Sequence, residues 1–238
     1  MDDLAQFDLI HQPTRARPLL GLTVLVVEDS RFACEAMRLL CIRSGARIRR
    51  ADCLRSARRH LQVYRPSVVV IDLGLPDGSG SDLISELSEA SPRVNVILAT
   101  SGDEFGEAVA IAAGADGFLP KPVSSVAAFQ QAVLSRLPED RRPEGLRSMT
   151  DEIVEPDQMA FRDDMAHMAD VLDDEADDRV LDYVAQFLTG VARSADDGPL
   201  LQAAQSLAKS RSQGGCARSD AARVAGLVQD RLAQQIAI

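Results

Sequence analysis

Short, nearly continuous runs of apolar residues alternate with helix-length segments in the first half of the chain. No other feature constrains the fold as much. The strongest runs, rich in Val, Leu and Ile, lie at 22–27, 68–71 and 94–99, and weaker ones lie at 47–49 and 116–119. A strand that is apolar on both sides is buried on both faces, as in parallel sheets with a helical layer on each side. The sequence therefore predicts an α/β fold with a five-stranded, parallel, doubly wound sheet.

The segments between these runs are predicted as the helices that cover the sheet. They span 30–44, 54–63, 81–90, 103–113 and 124–137. Ser30 is a suitable N-cap for the first helix, and Gly45 is a suitable stop because glycine adopts the left-handed conformation easily. The Gly- and Pro-rich stretch at 74–80 is predicted as a loop.

Polar side chains follow the predicted strands at the points where the strands end. In chain order they are Glu28, Asp29, Asp72, Thr100, Ser101 and Lys121. In open parallel sheets, ligands bind at the carboxyl ends of the strands. Three carboxylates, a hydroxyl and an ammonium group are therefore expected to meet at one edge of the sheet.

This cluster has the composition of a phosphoryl-transfer site. Neighbouring carboxylates raise one another's pKa unless a cation lies between them, and oxygen ligands favour a hard ion such as Mg²⁺. Asp72 could then act as a nucleophile toward a phosphoryl group whose other oxygens are held by Lys121 and Thr100. Lys121 is one of only two lysines among 26 basic residues. Its compact charge suits a narrow site better than the broad guanidinium of arginine does.

Residues 22–138 resemble the receiver domain of two-component response regulators, which has a flavodoxin-like fold. Five strings carry the resemblance, and they stand in the family's order and spacing. They are Val26-Val27-Glu28-Asp29-Ser30, the stretch from Val70 to Gly80, Ala99-Thr100-Ser101-Gly102, the stretch from Ala113 to Phe118, and Lys121-Pro122. The resemblance implies the strand order 2-1-3-4-5 and a partner that is a histidine kinase or a phosphotransfer protein.

The resemblance also implies a role for each acidic residue. Asp72 would be the phosphoacceptor and would ligate Mg²⁺ directly together with Asp29. Glu28 would act through a metal-bound water, and the carbonyl of Gly74 would complete the protein ligands. The resemblance therefore implies a phosphoacceptor and not an enzyme. Its own catalysis would be at most slow autodephosphorylation, and no separate catalytic domain is recognised.

The remaining matched residues would form the switch. Thr100 would be the switch hydroxyl, and Phe118 would be the aromatic residue that moves with it. Lys121 would bind the phosphoryl group, and a cis peptide bond would precede Pro122. Receivers often have Ala after the switch hydroxyl, where this chain has Ser101, so the identity of the hydroxyl that serves stays open.

The second half of the chain differs in charge and pattern. Residues 1–138 carry 16 acidic and 15 basic side chains, whereas residues 139–238 carry 20 and 11. We predict an N-terminal extension at 1–21, a linker at 139–156 and a small all-α domain at 157–238. Its helices are predicted at 157–172, 178–195, 198–210 and 218–236, because their apolar residues recur at helical spacing.

This helical region is expected to bind proteins and not DNA. Residues 151–182 hold 13 acids and two arginines, which is a poor surface for a polyanion. The stretch from Ala204 to Cys216 resembles the phosphohistidine helix of a histidine phosphotransfer domain, with Gln205 where the histidine would be. The output partner is unknown. An alternative is a phosphorylation-independent scaffold or dimerisation protein with a degenerate phosphotransfer-like domain.

The acidic helices have two predicted modes of association. They either pair in a homodimer or dock on the arginine-rich face at 43–65, which holds eight arginines and one acid. The chain has no apolar run of 18 residues and no secretory signal at its N-terminus, so a cytoplasmic location without a membrane span is expected. Four cysteines without a C-x-x-C pair and three scattered histidines disfavour a zinc site or a Ser-His-Asp triad.

Overall fold

The first half of the chain alternates strand and helix. The structure, a computed structural model, describes residues 13–139, 142, 152–173, 177–213 and 217–234. The strands are β1 (Thr23–Val27), β2 (Arg47–Ala51), β3 (Val68–Asp72), β4 (Gly74–Leu75), β5 (Gly78–Ser79), β6 (Val96–Ser101) and β7 (Gly117–Pro120). The helices in this half are α1 (Arg31–Ser44), α2 (Leu54–Val63), α3 (Gly80–Glu89), α4 (Gly106–Ala112) and α5 (Val126–Leu134).

Five strands form one parallel sheet in the order β2-β1-β3-β6-β7. Counted along the chain, the five long strands have the order 2-1-3-4-5, and the predicted fold class is confirmed. The predicted loop at 74–80 instead contains a two-stranded antiparallel pair, β4 and β5, in which Gly74 faces Ser79. Gly78 has a φ of +148°, which a side chain would resist, so the tight return depends on glycine.

Helices cover the sheet on both faces. Helices α1 and α5 pack on one face with fully buried Leu40 and Phe129, and α2, α3 and α4 pack on the other with Ile84 and Ala110. Helix α1 begins where the sequence predicted, since the Ser30 side chain accepts a hydrogen bond from the backbone of Ala33. This arrangement leaves the carboxyl ends of the strands uncovered by the receiver helices.

The second half forms four helices with a separate apolar core. They are α6 (Gln158–Asp173), α7 (Asp178–Ser194), α8 (Gly198–Ser212) and α9 (Arg218–Ala233). Met168, Leu188, Leu207 and Val228 are fully buried and bring the four helices together. We call residues 158–233 the helical module. None of the described helices is long and apolar enough to cross a membrane.

Two segments outside the regular elements are attached to the first half. Leu19, in the predicted N-terminal extension, is fully buried, and its amide donates to the carbonyl of Ser44 at 2.9 Å. In the predicted linker, the amide of Val154 donates to the carbonyl of Ser124 at 2.9 Å, and the Val154 side chain lies in the core beside α1 and α5. Most of the other linker residues lie outside the described residues.

The helical module packs on the first half at a position that the sequence did not indicate. Helices α6 and α7 contact α1, and α7 also contacts β4. Asp163 pairs with Arg31 at the start of α1, at 2.7 Å. From the arginine-rich face, Arg43 pairs with Glu152 at 2.9 Å, in the segment that precedes α6. The module therefore docks mainly at the N-terminal end of α1 and at the strand ends, and the pair from the arginine-rich face is made by Glu152, which precedes the module.

Candidate functional site

The structure brings the three predicted carboxylates together. Glu28 and Asp29 follow β1, and Asp72 is the last residue of the adjacent strand β3. One carboxylate oxygen from each of the three residues lies within 4.8 Å of the others. Only 3% of Glu28 and 7% of Asp72 is exposed. A compact cluster of oxygen donors is thus held at the carboxyl edge of the sheet.

Lys121 lies in the middle of this cluster. It follows β7, and its Nζ lies 2.8 Å from Oε2 of Glu28 and 2.9 Å from Oδ2 of Asp72. Its side chain is 7% exposed, so both ion pairs are shielded from water. The Lys121–Pro122 peptide bond is cis, as the resemblance implied.

One ammonium group does not balance three clustered carboxylates. Burial, and then the charge of Asp72, raises the pKa of Glu28 well above its ordinary value. The same two causes raise the pKa of Asp29 to about 7. Burial would lower the pKa of Lys121, but the carboxylates of Asp72 and Glu28 outweigh it and raise that pKa. The site therefore favours a further positive charge, and its all-oxygen donor set suits a hard divalent cation.

Thr100 lies directly beside Asp72. The two residues are register partners on the neighbouring strands β3 and β6. Thr100 is 1% exposed, and among the described residues its Oγ1 is buried without a hydrogen-bond partner. The hydroxyl of Ser101, by contrast, accepts a hydrogen bond from the backbone of Asp103 at 3.0 Å. Thr100 therefore has the hydroxyl that is available to a group on Asp72.

The predicted aromatic residue lies under the loop that follows β6. Phe118 is partly buried, and its ring lies beneath Gly106 at the start of α4. A Cβ added at Gly106 would lie 3.2 Å from Cζ of Phe118 and 2.9 Å from Cβ of Ser101. Phe118 thus packs against the start of α4.

Gly74, the predicted carbonyl ligand, stands just beyond Asp72 in the β4–β5 pair. The strand end is held by a hydrogen bond from the Leu73 amide to the Thr100 carbonyl at 3.1 Å. The side-chain amide of Gln186 packs against the backbone of Gly74, and a side chain at this position would have to displace it. Gln186 belongs to helix α7, so the helical module reaches this site.

Sequence reasoning missed the residues that the helical module contributes. The hydroxyl of Tyr183 donates a hydrogen bond to Oδ2 of Asp29 at 2.7 Å. Burial and the charge of Asp29 raise the pKa of this phenol, so it stays protonated and able to donate. The apolar stripe predicted for α7 did not include Tyr183, and no local signal indicated that a residue this far along the chain faces Asp29.

Comparison with known proteins identifies the first half of the chain. Residues 24–133 match the family model of the response regulator receiver domain. These residues are a response regulator receiver domain, and the predicted family is confirmed. The receiver fold, with its acidic edge, its lysine and its cis-proline, thus belongs to a family of typically non-catalytic phosphoacceptors.

The curated relatives match only part of their own length. The chain is 29% identical over 134 residues to the KDP operon transcriptional regulatory protein KdpE of Escherichia coli. The matched residues make up 56% of this chain and 60% of KdpE. It is 30% identical over 118 residues to the virulence transcriptional regulatory protein PhoP of Salmonella typhimurium, covering 48% and 53%. The chain spans about half the length of the curated relatives it matches.

Solved structures of receiver domains resemble about half of the chain. The receiver domain of the sensor histidine kinase PA1611 from Pseudomonas aeruginosa, solved with a magnesium ion in its active-site cleft, is 22% identical. The similarity covers 49% of this chain and 97% of that one, with a TM-score of 0.44.

Proposed function

We propose that this chain is a response regulator in which Asp72 accepts a phosphoryl group and the helical module carries the output. The phosphodonor is a histidine kinase or a phosphotransfer protein. The observation that supports this most directly is the position of Asp72, 2.9 Å from the ammonium of Lys121 and within 4.8 Å of two further carboxylates. This arrangement combines a nucleophile, a fixed cation and a cluster of metal-ligand type.

Phosphorylation of Asp72 follows from these groups. A carboxylate oxygen of Asp72 attacks phosphorus in line with the leaving group, and a new O–P bond forms as the bond to the donor nitrogen breaks. The electron pair of the broken bond returns to the donor imidazole, which takes up a proton. Lys121 stabilises the charge on the transferred oxygens, and Thr100 offers its unpartnered hydroxyl to the phosphoryl group.

Mg²⁺ fits the acidic edge. Asp29 and Asp72 would bind it directly, Glu28 through water, and Gly74 through its backbone carbonyl. The all-oxygen donor set supports this fit, and so do the pKa values of Glu28 and Asp29, which burial and the charge of Asp72 raise. When bound, the ion neutralises charge on the phosphoryl oxygens.

The signal travels from Thr100 to the surface of the receiver. A phosphoryl group on Asp72 would draw the Thr100 hydroxyl toward it, and Phe118 would move into the space left behind. The contact of Phe118 with Gly106 then transmits the change to α4. In energetic terms, phosphorylation shifts the population between two existing conformations.

The output is a protein interaction. The helical domain at 157–238, to which the helical module belongs, follows the receiver at 22–138 and the linker at 139–156. Its acidic charge opposes binding to nucleic acid, although the curated relatives are named as transcriptional regulators. We propose a cytoplasmic protein whose module binds a downstream protein or pairs in a homodimer.

One observation favours a second function, that of a phosphorylation-independent scaffold. The module is already docked on the acidic edge, and Gln205 of α8 lines the same cavity as Asp72. Gln205 is the residue that stands where a phosphotransfer domain has its histidine. A degenerate phosphotransfer-like module could hold the receiver in one fixed arrangement without any phosphoryl transfer.

Acetyl phosphate labelling separates these functions. The full chain is incubated with Mg²⁺ and acetyl phosphate, and intact mass and peptide mapping locate the added phosphoryl group. We expect label on Asp72 and none in the Asp72→Asn variant. Sedimentation with and without beryllofluoride then shows whether the label changes mass or shape. A wild-type protein that takes up no phosphoryl group would exclude the phosphoacceptor function and leave the scaffold.

A further inference from the structure

Helix α6 binds the first turn of α1 through a buried carboxylate. Asp164 is 2% exposed, and its Oδ1 accepts the amide of Arg31 at 2.7 Å. Its Oδ2 accepts the hydroxyl of Ser30 at 2.7 Å and the amide of Phe32 at 3.1 Å. The amides of Arg31 and Phe32 are backbone donors that have no partner within the helix, and negative charge is favoured at such an N-terminus. The module is therefore attached by directional bonds immediately after the ligand residue Asp29.

Helix α7 continues the attachment across the acidic edge. Tyr183 donates to Asp29 at 2.7 Å, and one turn later the amide of Gln186 packs against Gly74. Both contacts fall on residues that we assign to the metal site. The helix thus lies along the side of the site from which a ligand of Asp72 would enter.

The same helix passes over the lysine at close range. Gly190 is buried, and a Cβ added there would lie 3.6 Å from Nζ of Lys121. The Cα of Gly190 would in turn lie 3.4 Å from a Cβ added at Gly102, in the loop after β6. Helix α7 therefore packs in van der Waals contact with both the lysine and the loop after β6.

We propose that α6 and α7 form an intramolecular cover over the phosphorylation site, on the same edge that a protein phosphodonor must contact. The inference rests on the proposed function of Asp72. A donor has to bring its phosphorus to roughly 3–3.5 Å from a carboxylate oxygen of Asp72. Asp72 is only 7% exposed, and α7 lies over the edge at which it stands. Donor and cover therefore compete, and phosphorylation by a protein requires the module to be displaced.

The cover distinguishes small donors from large ones. Between α7 and the acidic edge lies a solvent-connected cavity of about 690 Å³, lined by Asp72, Lys121, Gln186 and Arg193 among others. This space admits Mg²⁺ and acetyl phosphate. It does not admit the helix of a donor protein, which with its side chains is about 10 Å across.

Tyr183 couples the cover to the metal. Mg²⁺ and the phenol both use the carboxylate of Asp29, so the binding of one weakens the binding of the other by the same factor. In Tyr183→Phe the ring keeps its packing on Phe187, whose centroid is 5.8 Å away, and only the hydrogen bond is lost. We expect this variant to bind Mg²⁺ about tenfold more tightly than the wild type.

The first test is calorimetric titration of the full chain with MgCl₂. Tyr64→Phe is the matched control, because Tyr64 is the only other tyrosine and its hydroxyl is also buried, without a hydrogen-bond partner among the described residues. The proposal expects tighter Mg²⁺ binding in Tyr183→Phe and unchanged binding in Tyr64→Phe. Equal or weaker affinity in Tyr183→Phe would overturn the competition between phenol and metal.

The second test follows the cover itself by hydrogen exchange of the full chain with and without Mg²⁺. Because Mg²⁺ and the phenol of Tyr183 compete for Asp29, we expect faster exchange in α6 and α7 when Mg²⁺ is present. Gly190→Leu, whose side chain would press on Lys121, should show this faster exchange without any ligand. If acetyl phosphate labels the wild type but the exchange of α6 and α7 is unchanged or slower, the proposed cover is refuted. The phosphoacceptor function would then still stand. Absence of label on Asp72 in the wild type, whose cavity admits acetyl phosphate, would overturn the phosphoacceptor function and with it the cover.

Discussion

The phenol of Tyr183 donates a hydrogen bond of 2.7 Å to Asp29, a residue 154 positions earlier in the chain. This bond joins the helical module to the acidic edge of the receiver. It means that the environment of Asp29 is set by both halves of the chain, and that a receiver cut away from its module would present a different site. Properties measured on the isolated receiver should therefore not be transferred to the full chain.

Lys121→Arg should impair phosphorylation while the chain still folds. The Lys121 side chain is 7% exposed and lies between Glu28 and Asp72, where the planar guanidinium needs more room than the ammonium does. A displacement of about 1 Å at a reacting centre costs up to about a hundredfold in rate. We expect acetyl phosphate labelling of Asp72 to slow by about tenfold to a hundredfold, measured by intact mass against time.

Lys209→Arg is the matched control for this substitution. Lys209 is the only other lysine of the chain and is exposed on α8. Its labelling rate should equal that of the wild type. If Lys121→Arg were labelled at the wild-type rate, the site would require only a positive charge at this position and not the compact shape of the ammonium group.

Thr100→Val should separate stability from switching. The Thr100 hydroxyl is buried without a hydrogen-bond partner among the described residues, and an unsatisfied buried hydroxyl costs about 1–3 kcal/mol. Valine has nearly the same shape, so the free energy of unfolding should stay equal or rise in urea denaturation. The change that beryllofluoride causes in sedimentation should disappear, whereas Thr100→Ser should retain it. A less stable Thr100→Val protein would mean that the hydroxyl is already bonded.

The receiver could be predicted closely because its signals are local. The Val- and Ile-rich runs, the Ser30 cap and the Gly45 stop determine elements from neighbouring residues, and the parallel topology then places the strand-end side chains at one edge. The β4–β5 pair was missed because two-residue strands have no periodicity of their own. The docking of α6 and α7 could not be predicted, since it depends on single contacts such as Asp164 with Ser30 and not on any repeated pattern.

Gly80→Ala should destabilise the receiver strongly. Gly80 begins α3, and its amide donates to the carbonyl of Leu73 at 3.0 Å. A Cβ at this position would overlap the carbonyl oxygen of Asp72 and lie 2.9 Å from its carbonyl carbon, so backbone and not a flexible side chain would have to move. We expect a loss of about 3 kcal/mol in the free energy of unfolding, measured by urea denaturation.

Gly226→Ala is the control for this effect of glycine replacement. Gly226 lies inside α9, is exposed, and has no atom within 4 Å of an added Cβ. Replacing a glycine inside a helix by alanine should stabilise the chain by about 0.5–1 kcal/mol. If both substitutions shifted the free energy of unfolding in the same direction, the overlap with the Asp72 carbonyl would not be the cause of the destabilisation by Gly80→Ala.

The ion pair between Asp197 and Arg231 should make the helical module sensitive to acid. Asp197 caps α8 by accepting the amide of Leu200 at 3.1 Å, and Arg231 of α9 donates to it at 2.7 and 3.0 Å. The hydrogen bond from Arg231 is the largest cause that lowers the pKa of Asp197. The pKa of Asp197 in the folded state lies below its value of about 3.9 in the unfolded state. The ion pair therefore stabilises the folded state fully at pH values above about 3.9, and this stabilisation is lost as the pH falls through the folded-state pKa.

Asp197→Ala measures this contribution. At pH 7 we expect it to lower the free energy of unfolding by about 1–3 kcal/mol, since it removes a helix cap and a charged hydrogen-bonded pair. The difference from the wild type should shrink as the pH falls below about 4.

Asp177→Ala serves as the control, because Asp177 caps α7 through the amides of Arg179 and Val180 at 3.0 Å and is exposed. It should cost only about 1 kcal/mol at pH 7, the value of a cap alone. Equal losses in the two variants would show that the pair with Arg231 adds nothing to the cap.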